Sequence, residues 1–255
     1  MQSKFDVSIP LMNSTHNEIP YITTADMEEL DRLMMQHYHI ELIQMMEMAG
    51  NNLGRLCINY LRNKNIKSPT IGIMAGTGGN GGGALVAARY LNNWGADVHI
   101  YIAKPIEEYQ GVPAKHLGIL RKLNIPFGLG RYMGNKDLDL IIDGLIGYSL
   151  DGNPYGPAAE MITWCNEQET PVISMDLPSG FDGTTGEAYA PCIRAEATLT
   201  LALPKIGFRK EGAAEFTGRL YLADIGVPPQ LYKYANITQN IPHIFQEDSI
   251  VELPL

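Results

Sequence analysis

The segment Gly76-Thr77-Gly78-Gly79-Asn80-Gly81-Gly82-Gly83 holds six glycines in eight positions. Without Cβ atoms, its backbone N–H groups can approach a phosphate closely, and a helix beginning there adds partial positive charge. Gly76, Gly78 and Gly81 satisfy G-x-G-x-x-G. Two other segments put an acid at the end of an apolar run. Asp143 is followed by Gly144-Leu145-Ile146-Gly147-Tyr148-Ser149-Leu150-Asp151-Gly152-Asn153-Pro154, and Asp176 by Leu177-Pro178-Ser179-Gly180-Phe181-Asp182. Such an acid binds a cation, accepts a substrate hydroxyl or caps a helix. Asn80, Asp143 and Ser179 together offer only oxygen donors, a set suited to an alkali or alkaline-earth ion rather than zinc. In Ala202-Leu203-Pro204-Lys205 a lysine follows an apolar run and faces either a phosphate or solvent.

Several chemistries are disfavoured. The apolar run ending at Ala103-Lys104-Pro105 lacks the acid that would hold an NAD ribose in an ordinary dinucleotide fold. There is no Gly-Lys-Ser/Thr, no H-x-x-x-H and no G-x-S-x-G. The plain alternative for the glycines is a tight turn needed only for helix–strand packing; a nucleotide or phosphate site is the favoured reading.

These segments need elements to hold them. Thr23 or Thr24 caps a helix carrying Met27, Leu30, Met34 and Tyr38 at helical spacing, and a second helix is expected over 41–62. From residue 70, short apolar runs alternate with helical patterns. Strands are expected over 70–74, 98–103, 138–142, 172–175 and 197–202, and helices over 82–94, 113–123 and 157–166. Continuous apolar runs suit strands buried on both faces. The expectation is a doubly wound, mostly parallel α/β sheet, a Rossmann-like three-layer sandwich whose ligands sit beyond the carboxyl ends of the strands. Residues 1–255 read as one domain, with 1–22 as an N-terminal arm. Met27, Met34, Met35, Met45, Met46 and Met48 read chiefly as flexible core packing, or else as a dimer surface or lid.

The chain has 19 basic and 28 acidic residues, a net charge of −9, which argues against a nucleic-acid partner or a polybasic membrane anchor. Its three cysteines, Cys57, Cys165 and Cys192, form no C-x-x-C pair and suit a reducing compartment. No apolar run reaches the ~20 residues of a membrane span and no targeting signal is visible, so a cytoplasmic location is expected. Asn236-Ile-Thr238 matches a glycosylation acceptor and is read as chance.

Taken together, the blocks resemble the NAD(P)H-hydrate epimerases, the YjeF N-terminal-domain family, over about residues 23–232. Met27-Glu28-Glu29-Leu30-Asp31 resembles the family's opening helix, and Met46-Glu47-Met48-Ala49-Gly50 its M-E-N-A-G. The glycine segment with Leu85-Val86-Ala87-Ala88-Arg89 resembles G-P-G-N-N-G-G-D-G-L-V-A-A-R. Asp143 to Gly147, Met175 to Gly180, Pro204-Lys205 and Gly218 to Pro228 resemble further blocks in order. The pattern departs at Thr77 (proline), Gly79 (asparagine), Gly83 (acid), Ala84 (glycine) and Met48 (asparagine).

The resemblance implies repair of nicotinamide cofactors whose reduced ring has been hydrated, by interconversion of the R and S hydrates of NADH and NADPH. It implies potassium at Asn80, Asp143 and Ser179. Substrate contacts are implied at Gly79, Asn80, Gly81, Gly82, Gly83, Gly147, Tyr148, Ser149, Leu150, Asp151, Gly152, Asn153 and Asp176, with acid–base work at Asp176. It further implies a homodimer and a separate dehydratase that uses the S form. Gly79 and Gly83 are expected to remove two polar side chains from the substrate pocket. The competing reading is a diverged nucleotide-binding module acting as a scaffold or sensor; a third, an NAD-dependent dehydrogenase, lacks its ribose-binding acid.

Overall fold

The structure, a computed structural model, describes residues 9, 19–130, 137–235, 237, 241 and 243–254. Helix α1 (Thr24–His37) starts at a capping box: the Thr23 hydroxyl accepts from the Asp26 N–H while Asp26 accepts from the Thr23 N–H. Helix α2 (Leu42–Asn63) follows, and then strand β1 (Thr70–Ala75), α3 (Gly79–Asn93), β2 (Asp97–Ile102), α4 (Gly111–Lys122) and β3 (Phe127–Leu129). The second half runs β4 (Leu140–Gly144), α5 (Gly156–Asn166), β5 (Val172–Met175), β6 (Ala197–Leu201), α6 (Ala214–Thr217), β7 (Arg219–Ala223), α7 (Pro229–Tyr234) and β8 (Ile250–Leu253).

The eight strands form one sheet in the order β3-β2-β1-β4-β5-β6-β7-β8, parallel throughout except for the antiparallel β7–β8 pair. From β1 the chain first winds outward to β2 and β3, then returns to lay β4 on the other side. The crevice between the ends of β1 and β4 is therefore the topological switch point, where ligands of such sheets bind.

Alternate strand residues enter two separate cores. Ile71, Ile73, Leu140, Ile142 and Ile173 join residues of α1 to α4 on one face. Met74, Ile141 and Val172 meet Met161, Ile162 and Cys165 of α5 on the other. Burial on both faces explains why these strands read as continuous apolar runs. The layers are unequal, with α1 to α4 and α7 in one core and α5 in the other.

One expectation needs correction. The end of the proposed arm is core: Ile19 and Ile22 are buried, and Ile22 bridges to Lys205, its N–H donating to the Pro204 carbonyl at 2.9 Å. Residues 1–8 and 10–18 lie outside the described residues, as do Asn236 and Thr238 of the acceptor motif. The methionine stripe is mainly interior, since Met27, Met34, Met45 and Met46 are buried while Met35 and Met48 are about one-third exposed (36% and 37%).

Candidate functional site

Asp143 sits within β4, one residue before the end of the strand, and pairs in register with Ser174 of β5. Its carboxyl is fully buried and accepts four hydrogen bonds: from Ser174 Oγ (2.8 Å), Ser179 N–H (2.8 Å), Ser179 Oγ (2.6 Å) and Leu145 N–H (3.2 Å). All four partners are neutral. Burial pushes its pKa above the usual carboxylate range, and these hydrogen bonds, those from Ser179 foremost, only partly offset that. Asn80 approaches from α3, where its Nδ2 donates to the Met175 carbonyl at 2.7 Å. A Cβ at Gly147 would lie 2.7 Å from Asn80 Oδ1, so only glycine lets the β4 loop pass this amide. Asn80, Asp143 and Ser179 thus converge, through Met175 and Gly147, at the ends of β4 and β5.

Asp176 follows β5 with a left-handed φ of +62°, a conformation aspartate tolerates better than most residues. There its Oδ1 accepts from Thr200 Oγ1 (3.1 Å), the Leu201 N–H (3.1 Å) and Lys205 Nζ (2.5 Å). Lys205 is 0% exposed and also donates to Thr200 Oγ1 and the Leu201 carbonyl, each at 3.2 Å. Neither expectation for Lys205 holds: it faces neither phosphate nor solvent but forms a buried ion pair with Asp176. The sequence carried its position, just past a strand, but not the direction of its side chain.

The glycine segment is mostly helix rather than loop, because α3 starts at Gly79. Close packing accounts for much of its composition. A Cβ at Gly76 would fall 1.9 Å from the Leu145 carbonyl oxygen, and one at Gly81 1.9 Å from that of Gly76. At Gly82 and Gly83 the neighbours are Met46 Sδ (2.6 Å) and Met175 Cε (2.2 Å). Gly78 and Gly79 instead face open space. No side chain caps α3 and no acid lies in its first turn, which leaves N–H groups and positive charge free for an anion.

That helix start opens on a cavity of about 540 Å³. Gly76 to Gly81 line one wall and Gly147, Tyr148, Ser149, Leu150, Asp151 and Asn153 another, with Lys104 and Tyr155 at the sides. Of the residues the resemblance implied as substrate contacts, Gly82, Gly83, Gly152 and Asp176 do not line this cavity. The space expected from a missing side chain at Gly83 is filled by the Met175 methyl group.

A smaller inner chamber, about 70 Å³, shares Gly79, Asn80 and Tyr148 with the outer one. Its lining is apolar (Met27, Leu42, Met45, Met46, Met175, Leu201) apart from Asp176, Asp31 and those shared residues. Tyr148 Oη donates to Asp31 Oδ2 at 2.9 Å. Burial raises the Asp31 pKa to about 6, and burial beside Asp31 pushes the Tyr148 phenol well up. Asp31 escaped the sequence reading, although an acid four residues after Met27, at the edge of the α1 apolar stripe, was the available signal.

Residues 42–207 match the family described as YjeF-related protein N-terminus, which is more than half of the chain. A protein of Dehalogenimonas lykanthroporepellens named NAD(P)H-hydrate epimerase is 38% identical over 221 residues, covering 85% of this chain and 86% of its own length. One of the same name from Lentilactobacillus buchneri is 33% identical, with 81% and 94% covered. A bifunctional NAD(P)H-hydrate repair enzyme of Moorella thermoacetica is 35% identical over 82% of this chain, but only 41% of that longer protein is matched. The crystal structure of yeast ynu0 superposes with a TM-score of 0.75 at 22% identity, covering 92% of this chain and 100% of that one, and so shares the fold.

Proposed function

This chain belongs to the family of YjeF-related protein N-termini, and on that premise we propose that it is an NAD(P)H-hydrate epimerase, an isomerase that interconverts the R and S hydrates of NADH and NADPH. The observation that carries the reading is the paired chamber. An uncapped, glycine-built helix start faces a cavity of about 540 Å³, within the usual range for small-molecule sites, and a carboxyl group lies in the adjoining apolar chamber. The outer chamber takes the phosphates at Gly78 to Asn80, with Gly147 to Asp151 and Asn153 along the bound cofactor. The hydrated ring reaches inward toward Asp176.

Epimerisation must break and remake the bond between a ring carbon and its hydroxyl. A carboxyl group that exchanges a proton with the departing or the returning water serves this, and its charge stabilises the cationic ring between the two events. Lys205 orients Asp176 by holding Oδ1. The apolar lining keeps bulk water from the ring cation. The loss of polar side chains that favoured a non-catalytic binding module weighs less, because Met175 fills the space at Gly83.

The donor set fits potassium: all donors are oxygens, and Asp143 is a buried carboxyl with only neutral partners. Asn80, Asp143 and Ser179 would hold the ion. When bound it supplies a positive charge that neutralises Asp143 and ties the α3 start to the loops after β4 and β5. A homodimer, a cytoplasmic location and a separate dehydratase that consumes the S hydrate complete the proposal; no described helix is long and apolar enough to cross a membrane.

The test mixes the purified protein with the R hydrate of NADH, potassium and an S-specific dehydratase, and follows NADH absorbance. The proposal expects recovery faster than with the dehydratase alone. Equal rates refute it.

A further inference from the structure

Inversion at one ring carbon requires water to leave from one face and return to the other. One carboxyl group fixed on one side of the ring is well placed for only one of these events. The inner chamber holds a second, Asp31 of α1. We propose that Asp31 is a second catalytic residue of this site, giving its proton to the hydroxyl that leaves the ring while Asp176 takes a proton from the water that returns. The inference rests on the epimerase reading.

The surroundings of Asp31 suit proton transfer better than structural support. Tyr148 fixes Oδ2, while Oδ1 has no hydrogen-bond partner among the described residues, although both oxygens belong to a side chain lining the chamber. No lysine, arginine or histidine among the described residues lies at ion-pair distance from it. The groups that act on it come from four elements: Glu28 on its own helix, Tyr148 after β4, Asp176 after β5 and Lys205 after β6. Burial is the largest influence and holds the carboxyl protonated to about pH 6; the Tyr148 hydrogen bond and Lys205 pull the other way, while Asp176 and Glu28 reinforce burial. One chamber thus pairs a carboxyl that holds its proton to higher pH than usual with one bound to an ammonium group, the asymmetry expected of an acid and a base.

The chemistry balances without any oxidant or reductant. The C–O bond breaks with its electron pair on oxygen, which takes the Asp31 proton and departs as water. The ring-nitrogen lone pair fills the vacancy as a C=N cation. A lone pair of water then forms the new C–O bond from the opposite face, and Asp176 takes the spare proton. The reverse reaction exchanges the roles, and proton exchange with solvent resets the pair.

The test is the pH profile of kcat/KM for the R hydrate in wild type, Asp31→Asn, Asp31→Glu and Tyr148→Phe, after subtraction of the uncatalysed rate. Wild type should lose activity with a one-proton dependence above about pH 6. Asp31→Asn should be slower by ~10²–10⁴-fold and lack that limb, while Asp31→Glu recovers part of the rate. Tyr148→Phe should move the limb to higher pH, because the lost hydrogen bond favoured the ionised form; a structural role for Asp31 would leave the limb in place. Wild-type rate in Asp31→Asn, a limb that persists in it, or an unmoved limb in Tyr148→Phe overturns the assignment while the epimerase stands. A wild type no faster than the uncatalysed reaction overturns the epimerase reading, and this inference with it.

Discussion

Lys205→Met removes the ammonium group that faces Asp176 inside the protein. Lys205 is 0% exposed and Asp176 2%, so solvent cannot take over the lost contact. The substitution keeps an unbranched side chain one atom shorter but leaves the Asp176 carboxyl with only Thr200 Oγ1 and the Leu201 N–H, and strips one donor from the Leu201 carbonyl. Breaking one side of a buried pair costs about 3–5 kcal/mol, because a charge remains without its partner. With an unfolding slope of roughly 3 kcal/mol per molar urea, the midpoint should fall by on the order of 1 M. Adding Asp176→Asn removes the stranded charge, so the double variant should recover most of the loss. Urea unfolding followed by circular dichroism at low and high salt reads all of these, and the difference should hardly depend on salt for a pair shielded from solvent. A Lys205→Met protein within about 1 kcal/mol of wild type, or a double variant weaker than either single one, would refute the buried pair.

Gly79→Asp should leave the urea midpoint unchanged, because its Cβ meets nothing within 4 Å, yet weaken NADP binding at least about tenfold by calorimetry, since it sets a negative charge at the anion-binding helix start. Gly83→Ala forces the Met175 methyl group aside, so in urea unfolding it should be less favourable in wild type than in a Met175→Ala background by about 1 kcal/mol or more, the coupling a double-mutant cycle reads. Potassium should raise the melting temperature in a saturable way, worth about 2.7 kcal/mol at a hundredfold excess over its Kd, and Asp143→Asn should abolish the response in differential scanning calorimetry.

The sheet was legible because its strands are buried on both faces: 172–175 is a strand as expected, and β1, β2, β4 and β6 shift by at most two residues at either end. The short edge strand β3 and the antiparallel β8 gave no such run, and β7 was visible only as part of a family block. Asp143, Asp176 and Ser179 were legible because acids and hydroxyls after apolar runs are conspicuous, and the sheet brings those ends together. The glycines were harder to read, since close packing at Gly81 and open space at Gly79 look alike in a sequence. The partner of Lys205 and the place of Asp31 in the site were missed for one reason. Both residues carry charged side chains whose burial depends on what packs across from them: the carboxyl of Asp176 for one, and the Tyr148 loop for the other.

The most direct test of the central claim separates the R and S hydrates by chromatography and follows their interconversion in potassium buffer, with and without enzyme. Wild type should exceed the uncatalysed rate. Asp176→Asn strands the Lys205 ammonium group, so it is assayed at a temperature where circular dichroism reports it folded, and there its turnover should be lower by ~10²–10⁴-fold. A wild type at the uncatalysed rate, or a folded Asp176→Asn as fast as wild type, would contradict the account.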